Sequence, residues 1–199
     1  MRAVLLSGFA VLAAIAASSV SPASAQSTGG ISITHGGGNV NVASGALSAA
    51  SQSATTLGGI AGGHGLAFTN GGNNRNVASG RLSFAGQDTT TVGGTAFGRG
   101  NVITGGGGNG NLATGFASTA TQSTSTLGGT AFGHGTSFTS GGLNTNLAAG
   151  KFSSADQQVA TLGGVAGRHG LSVVDGSANK NSALGFGSSA SQQVFTAAQ

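Results

Sequence analysis

Residues 66–100 read LAFTNGGNNRNVASGRLSFAGQDTTTVGGTAFGRG, and residues 101–135 read NVITGGGGNGNLATGFASTATQSTSTLGGTAFGHG. The second block is a copy of the first with no insertion or deletion. Working outward, residues 31–65 (ISITHGGGNVNVASGALSAASQSATTLGGIAGGHG) precede them in the same register and residues 136–170 (TSFTSGGLNTNLAAGKFSSADQQVATLGGVAGRHG) follow. A fifth block, 171–199 (LSVVDGSANKNSALGFGSSASQQVFTAAQ), stops after 29 positions and degenerates at its end, which marks it as a possible cap. Self-similarity at a fixed period is the signature of a stacked repeat architecture, and here the period is 35 residues.

Because the blocks are copies within one chain, their invariant columns can be read directly. Asn recurs as Asn39, Asn74, Asn109, Asn144 and Asn179, and two residues later as Asn41, Asn76, Asn111, Asn146 and Asn181. Ala follows at Ala43, Ala78, Ala113, Ala148 and Ala183, and Gly at Gly45, Gly80, Gly115, Gly150 and Gly185. Further on come Ser48, Ser83, Ser118, Ser153 and Ser188, then Ala50, Ala85, Ala120, Ala155 and Ala190, then Gln52, Gln87, Gln122, Gln157 and Gln192.

These columns are spaced by two, the period of a β-strand whose alternate side chains share a face. In S-x-A-x-Q-x-x-x-T the fixed positions lie on one face, and the varying ones, such as Gly86, Asp88, Asp156 and Gln158, lie on the other and meet water. Paired glycines at Gly58-Gly59, Gly93-Gly94, Gly128-Gly129 and Gly163-Gly164 read as corners, supplying backbone angles that other residues resist. The glycine density and the lack of an apolar stripe at helical spacing disfavour helix. The fold expected is all-β: a repetitive solenoid in which equal coils stack at ~4.8 Å and equivalent Asn and Gln side chains form ladders of hydrogen-bonded amides. Three apolar columns are expected as narrow seams between the ladders: Ile33, Phe68, Ile103, Phe138 and Val173; Val42, Val77, Leu112 and Leu147; Leu57, Val92, Leu127 and Leu162. The sequence leaves open whether each repeat makes one long coil or two short ones.

Composition narrows the function. Forty of the 199 residues are Gly, one is Pro, and Cys, Trp, Tyr and Glu are absent. No disulfide framework, thiolate nucleophile or Cys-built zinc site is available. The acidic residues are Asp88, Asp156 and Asp175 alone, so grouped carboxylates for acid/base or metal-assisted hydrolysis are missing and no enzyme is expected. Residues 1–25 read as a signal peptide: Met1-Arg2, an apolar run from Ala3 to Ala17, and the cleavage pattern Ala23-Ser24-Ala25. The run is shorter than the ~20 residues that span a membrane, so no stable membrane insertion is expected. A short leader, 26–30, then enters the first repeat, and the exported chain is expected at the cell surface or outside the cell. Without Arg2 it carries six Lys/Arg against three Asp, a net +3, spread singly. A pI near 11.4 therefore reflects few titrating groups and no phosphate-tracking stripe, and nucleic acid is not an expected partner.

The G-G-x-N-x-N-x-A segment with a later S-x-A-x-Q, as in Gly36-Gly37-Gly38-Asn39 followed by Ser48, Ala50 and Gln52, resembles the repeats of curli-type functional amyloid subunits. That resemblance implies a secreted subunit whose strand-turn-strand repeats stack into a β-solenoid and polymerise end to end as matrix fibres. A nucleator or surface component is then a possible second partner. Segments such as GHGTSFTSGG look like the Gly-rich domains of attacin-type antimicrobial proteins, which implies a monomeric secreted alternative. Rows of Thr at Thr89-Thr90-Thr91 and Thr124-Ser125-Thr126, interrupted at Ala54 and Val159, raise a further alternative, ice binding.

The residues expected to carry function are accordingly the two Asn columns and the Gln column, as assembly ladders. His64, His134 and His169 share one column, with Arg99 in the remaining copy, and form the one arrangement suggestive of a metal or a pH-sensitive row; an exposed corner is the reading favoured. No cofactor is implied. With no Pro and few charges after residue 25 to blunt an edge strand, the chain is expected to polymerise with itself, growing from the first repeat.

Overall fold

The computed structural model describes residues 17–22, 26–27 and 31–198. The expected signal segment thus lies outside the described residues apart from Ala17–Pro22, and the leader apart from Gln26–Ser27. These two short pieces are strands β1 and β2. The first repeat forms β3 (Ile31–His35), β4 (Gly38–Ser44), β5 (Leu47–Leu57) and β6 (Ile60–Ala61). The second forms β7 (Leu66–Asn70), β8 (Asn73–Ser79), β9 (Leu82–Val92) and β10 (Thr95–Ala96). The third forms β11 (Asn101–Gly105), β12 (Gly108–Thr114), β13 (Ala117–Leu127) and β14 (Thr130–Ala131). The fourth forms β15 (Thr136–Ser140), β16 (Leu143–Ala149), β17 (Ser154–Leu162) and β18 (Val165–Ala166). The fifth contributes β19 (Leu171–Asp175), β20 (Ala178–Leu184) and β21 (Ser189–Ala197). No helix occurs among the described residues.

Each strand pairs in parallel with its equivalent one repeat away, so the protein is a β-solenoid in which one 35-residue repeat makes one coil. Four parallel sheets form its sides: β1-β5-β9-β13-β17-β21, β2-β6-β10-β14-β18, β3-β7-β11-β15-β19 and β4-β8-β12-β16-β20. This settles the coil count that the sequence left open. The backbone ladder continues through the corners, where Gly36, Gly45 and Gly58 donate their N–H groups to Asn70, Ser79 and Val92 one coil on.

The interior is built from small and polar residues. Ala43, Ala50, Ala78, Ala85, Ala113, Ala120, Ala148 and Ala155 form one buried cluster between the β4-type and β5-type sides. Ala61, Ala67, Ala96, Val102 and Ala131 form a second at the opposite end of the coil. Sheets that meet across alanine stand too close for longer aliphatic chains. The three apolar columns expected as inner seams lie instead on the outer surface: Ile33 is 62% and Val42 60% exposed, and Leu57 is exposed as well. Strand parity requires this, because their neighbours Ser32, Thr34, Ala43 and Thr56 face inward.

The Gly-Gly corner pairs also act differently from expectation. Their φ angles are not in the left-handed region; what they provide is close approach. A Cβ on Gly93 would overlap the Gly129 backbone and the Thr104 hydroxyl. Left-handed geometry belongs to another column, Gly37, Gly72, Gly107 and Gly142, with φ of 72°, 76°, 74° and 78°. There a Cβ on Gly72 or Gly107 would overlap the carbonyl oxygen of the preceding coil.

Ala120→Leu, in the cluster where Ala120 is fully buried, is expected to cost about 1–3 kcal/mol by overpacking. Val40→Ala on the outer surface, where Val40 is 71% exposed, should change stability by no more than ~0.5 kcal/mol. Denaturant titration of the two variants beside the parent chain measures the contrast.

Candidate functional site

The three amide columns run along the inside of the solenoid. In the first, the Asn39 Nδ2 donates to Asn74 Oδ1 (2.9 Å), Asn74 to Asn109 (3.0 Å), Asn109 to Asn144 (2.9 Å) and Asn144 to Asn179 (2.9 Å). In the second, Asn76 donates to Asn111 (3.1 Å), Asn111 to Asn146 (2.9 Å) and Asn146 to Asn181 (3.0 Å). The Asn41 Nδ2 donates to the Ser51 carbonyl instead, and Asn76 Oδ1 is left buried without a donor. In the Gln column the direction reverses: Gln87 Nε2 donates to Gln52 Oε1 (3.4 Å), Gln122 to Gln87 (2.8 Å), Gln157 to Gln122 (2.6 Å) and Gln192 to Gln157 (3.0 Å). The Asn columns donate toward the C-terminal coil and the Gln column toward the N-terminal one.

The second Asn column has a role that the sequence did not suggest. Each amide also reaches across the corner to carbonyls of the long side: Asn76 Nδ2 to Ala50 and Gly86, Asn111 to Ala85 and Thr121, Asn146 to Ala120 and Asp156. It staples the β4-type side to two successive strands of the β5-type side. The Ser column pins the same corner: Ser48, Ser83 and Ser118 donate to the carbonyls of Ser79, Thr114 and Ala149, one coil on. Both roles announce themselves in the sequence only as invariance within the repeat.

At the two ends of the Gln column the pattern is unfinished. Gln52 is 2% exposed, yet its Nε2 has no hydrogen-bond partner. The strand seated beside it is β1, in which Ala17 holds the register position opposite Gln52. At the other end the Gln192 Nε2 is engaged by Gln157, so its Oε1 is the outermost acceptor of the column.

The remaining candidates are placed on the surface. His64, Arg99, His134 and His169 sit at exposed corners. The rings of His134 and His169 stack at 5.2 Å, while Arg99 separates them from His64. Among the described residues no group of three or more His, Asp or Glu side chains comes together around a common point. The Thr rows differ from expectation: Thr89, Thr91, Thr124 and Thr126 are buried and face inward, as do the interrupting Ala54 and Val159. The outward row is Thr55, Thr90 and Ser125, and it is the neighbouring Ala160 and Phe195 that interrupt it. On the β8-β12-β16 surface Gly108 and Gly110 leave a shallow groove of about 400 Å3, lined by Asn73, Arg75, Leu112 and Thr145. It contains no carboxylate or imidazole.

Compared with protein-family models, curated proteins and solved structures, the chain matches none.

Replacing Gln122 by Leu removes the acceptor of Gln157 Nε2 and the donor to Gln87 Oε1. Each orphaned group is expected to cost about 1–3 kcal/mol. Gln158→Leu, one residue along on the outward face of the neighbouring coil, should be close to neutral, and urea unfolding of both variants checks the difference.

Proposed function

We propose that this chain is a secreted structural protein that self-assembles through its stacked β-repeats into extracellular fibres, a matrix or a coat. The observation that carries the reading is the state of the outer strand β21. Its sequence, SASQQVFTA, contains neither Pro nor charge, and among the described residues nothing pairs with its outer edge. Natural edge strands are normally blunted by proline, charge or a bulge, because a free row of N–H and C=O groups recruits further strands. The fifth repeat keeps the rung register to Ala197, with Asn179, Asn181 and Gln192 in their columns.

The architecture favours a polymer for a second reason. A solenoid coil contacts only the coils beside it, so terminal coils hold half the neighbours of interior ones, and polar capping repeats are the usual remedy. Strand β21, in the block expected as a possible cap, is exposed, and among the described residues nothing covers its outer edge. The resemblance of the repeats to curli-type subunits supports the same reading, and a surface component presenting a matching strand would serve as nucleator. Export by way of the expected signal peptide places the polymer outside the cell.

On this reading, purified chain incubated above a threshold concentration yields fibres with a meridional reflection near ~4.8 Å and bound thioflavin fluorescence. A chain that stays monomeric, and that inhibits bacterial growth or produces thermal hysteresis, would instead establish the antimicrobial or ice-binding alternative.

A further inference from the structure

We propose that the outer edge of β5, occupied in this chain by its own segment Ala17–Pro22, is the docking edge for β21 of a second copy, in the register that sets Gln192 against Gln52. The inference rests on the self-assembly reading and names the surfaces that meet.

The register comes from the chain itself. Strand β1 lies parallel to β5 with Ala17 opposite Gln52, Ser18 opposite Ser53 and Pro22 opposite Leu57. This is the 35-residue offset that separates every other pair of strands in that sheet, including β17 from β21, where Gln157 faces Gln192 and Leu162 faces Ala197. Strand β1 thus stands where a preceding coil would stand. A second copy's β21 placed in the same position sets Gln192, Gln193, Val194, Phe195, Thr196 and Ala197 opposite residues 52–57.

The chemistry of the two ends distinguishes a placeholder from a true neighbour. Gln52 Nε2 is buried and unpartnered because Ala17, at the ladder position, carries no amide. Gln192 presents the missing acceptor, its own Nε2 being held by Gln157. Docking therefore continues the Gln column across the junction, with Gln52 Nε2 donating to Gln192 Oε1 of the preceding copy. The Asn columns continue in the opposite direction, from Asn181 of the preceding copy toward Asn41. Cleavage after Ala25, the expected signal-peptide site, would remove the placeholder, so export and exposure of the docking edge become one event.

The chain has no Cys, so disulfides can be introduced one pair at a time. In-register partners on adjacent parallel strands stand about 5 Å apart, within the Cα separation a disulfide bridges, whereas a two-residue slip takes them beyond about 7 Å. The first arm mixes two single variants of the chain cleaved after Ala25, S53C and Q193C, under oxidising conditions during assembly. The expected product is the mixed 53–193 dimer, with neither variant linking to itself and no product from S53C mixed with F195C. Self-linked dimers in equal yield, or equal linking at the slipped position, would overturn the register. The second arm uses the double variant S18C/S53C, which locks β1 onto β5 when oxidised. Locked chain added to parent seeds is expected to stop elongation after at most one addition per fibre, and reductant should restore it. Elongation at the parent rate in the locked form would overturn the edge assignment while leaving self-assembly intact. A chain cleaved after Ala25 that forms no fibres under any condition overturns both.

Discussion

A side-chain amide placed above another at the spacing of hydrogen-bonded strands is satisfied in one line, its N–H meeting the next C=O and its own C=O receiving the previous N–H. The rest of this molecule is arranged around keeping that line unbroken. Separations of 2.9–3.0 Å along the first Asn column require every coil to present its amide at the same height and angle. An insertion of one residue would turn each strand over and send the amides to solvent. Five copies with no gap between them are what that constraint demands of a sequence. The glycines answer to it too: coils stacked this closely bring the carbonyl of one corner to where the Cβ of the next would sit, as at Gly72 and Gly107.

The same closeness inverts the usual distribution of side chains. The β4-type and β5-type sides meet across alanine, leaving room inside for Asn, Gln, Ser and Thr and none for Ile, Leu or Phe; the amides and serines bond to backbone or to each other, while the buried hydroxyls of Thr69, Thr91, Thr104, Thr124, Thr126 and Thr139 have no partner. The larger apolar residues are therefore outside, where they shelter one another along the stack. Phe68 and Ile103 in the middle of their row are half-buried, while Ile33 at the first coil is 62% exposed. Aromatic rings follow the same rule at the corners, Phe97 stacking on Phe132 at 5.1 Å. Neighbours on both sides cover these outward side chains only in part, since Leu82 and Leu143 in inner coils are still 51% and 65% exposed. The outermost strand, β21, has a neighbour on one side only and is exposed along nearly its whole length, inward positions included.

The repeat made much of this legible. Period 35 and the alternation of fixed and variable positions give the all-β solenoid, and Ser48, Ala50 and Gln52 sit on the inward face as their spacing by two implies. The apolar columns misled because the ordinary rule, apolar inside, presumes an interior wide enough to hold them; the invariant alanines at 43 and 50 were the contrary signal. The Gly-Gly pairs misled for a related reason, since invariance alone does not distinguish a residue chosen for its φ from one chosen because another backbone lies against it. The Thr triplets suggest an outward row, but strand parity divides each triplet between the two faces, so Thr90 points out while Thr89 and Thr91 point in. What no single-chain pattern discloses is direction: that Asn columns and the Gln column donate opposite ways emerges only from the paired amides themselves.

That opposition has consequences for both the coil and its ends. Amide dipoles aligned in one column reinforce along the stack. The opposed Gln column offsets the shared sense of the two Asn columns, and it is tied to their strand, with Gln122 Nε2 donating also to the Asn109 backbone carbonyl (3.2 Å). It also gives each end face a mixture of donors and acceptors where a single sense would leave one face all donor and the other all acceptor. A junction joined tail to tail would bring two Gln192 acceptors to one interface with no donor between them and run β21 against itself in the antiparallel sense, which none of the sheets in this fold uses. Head-to-tail contact would meet donor with acceptor in the Gln column and keep the strands parallel. A polymer joined in that way would have a polarity dictated by its amides, with two chemically different ends.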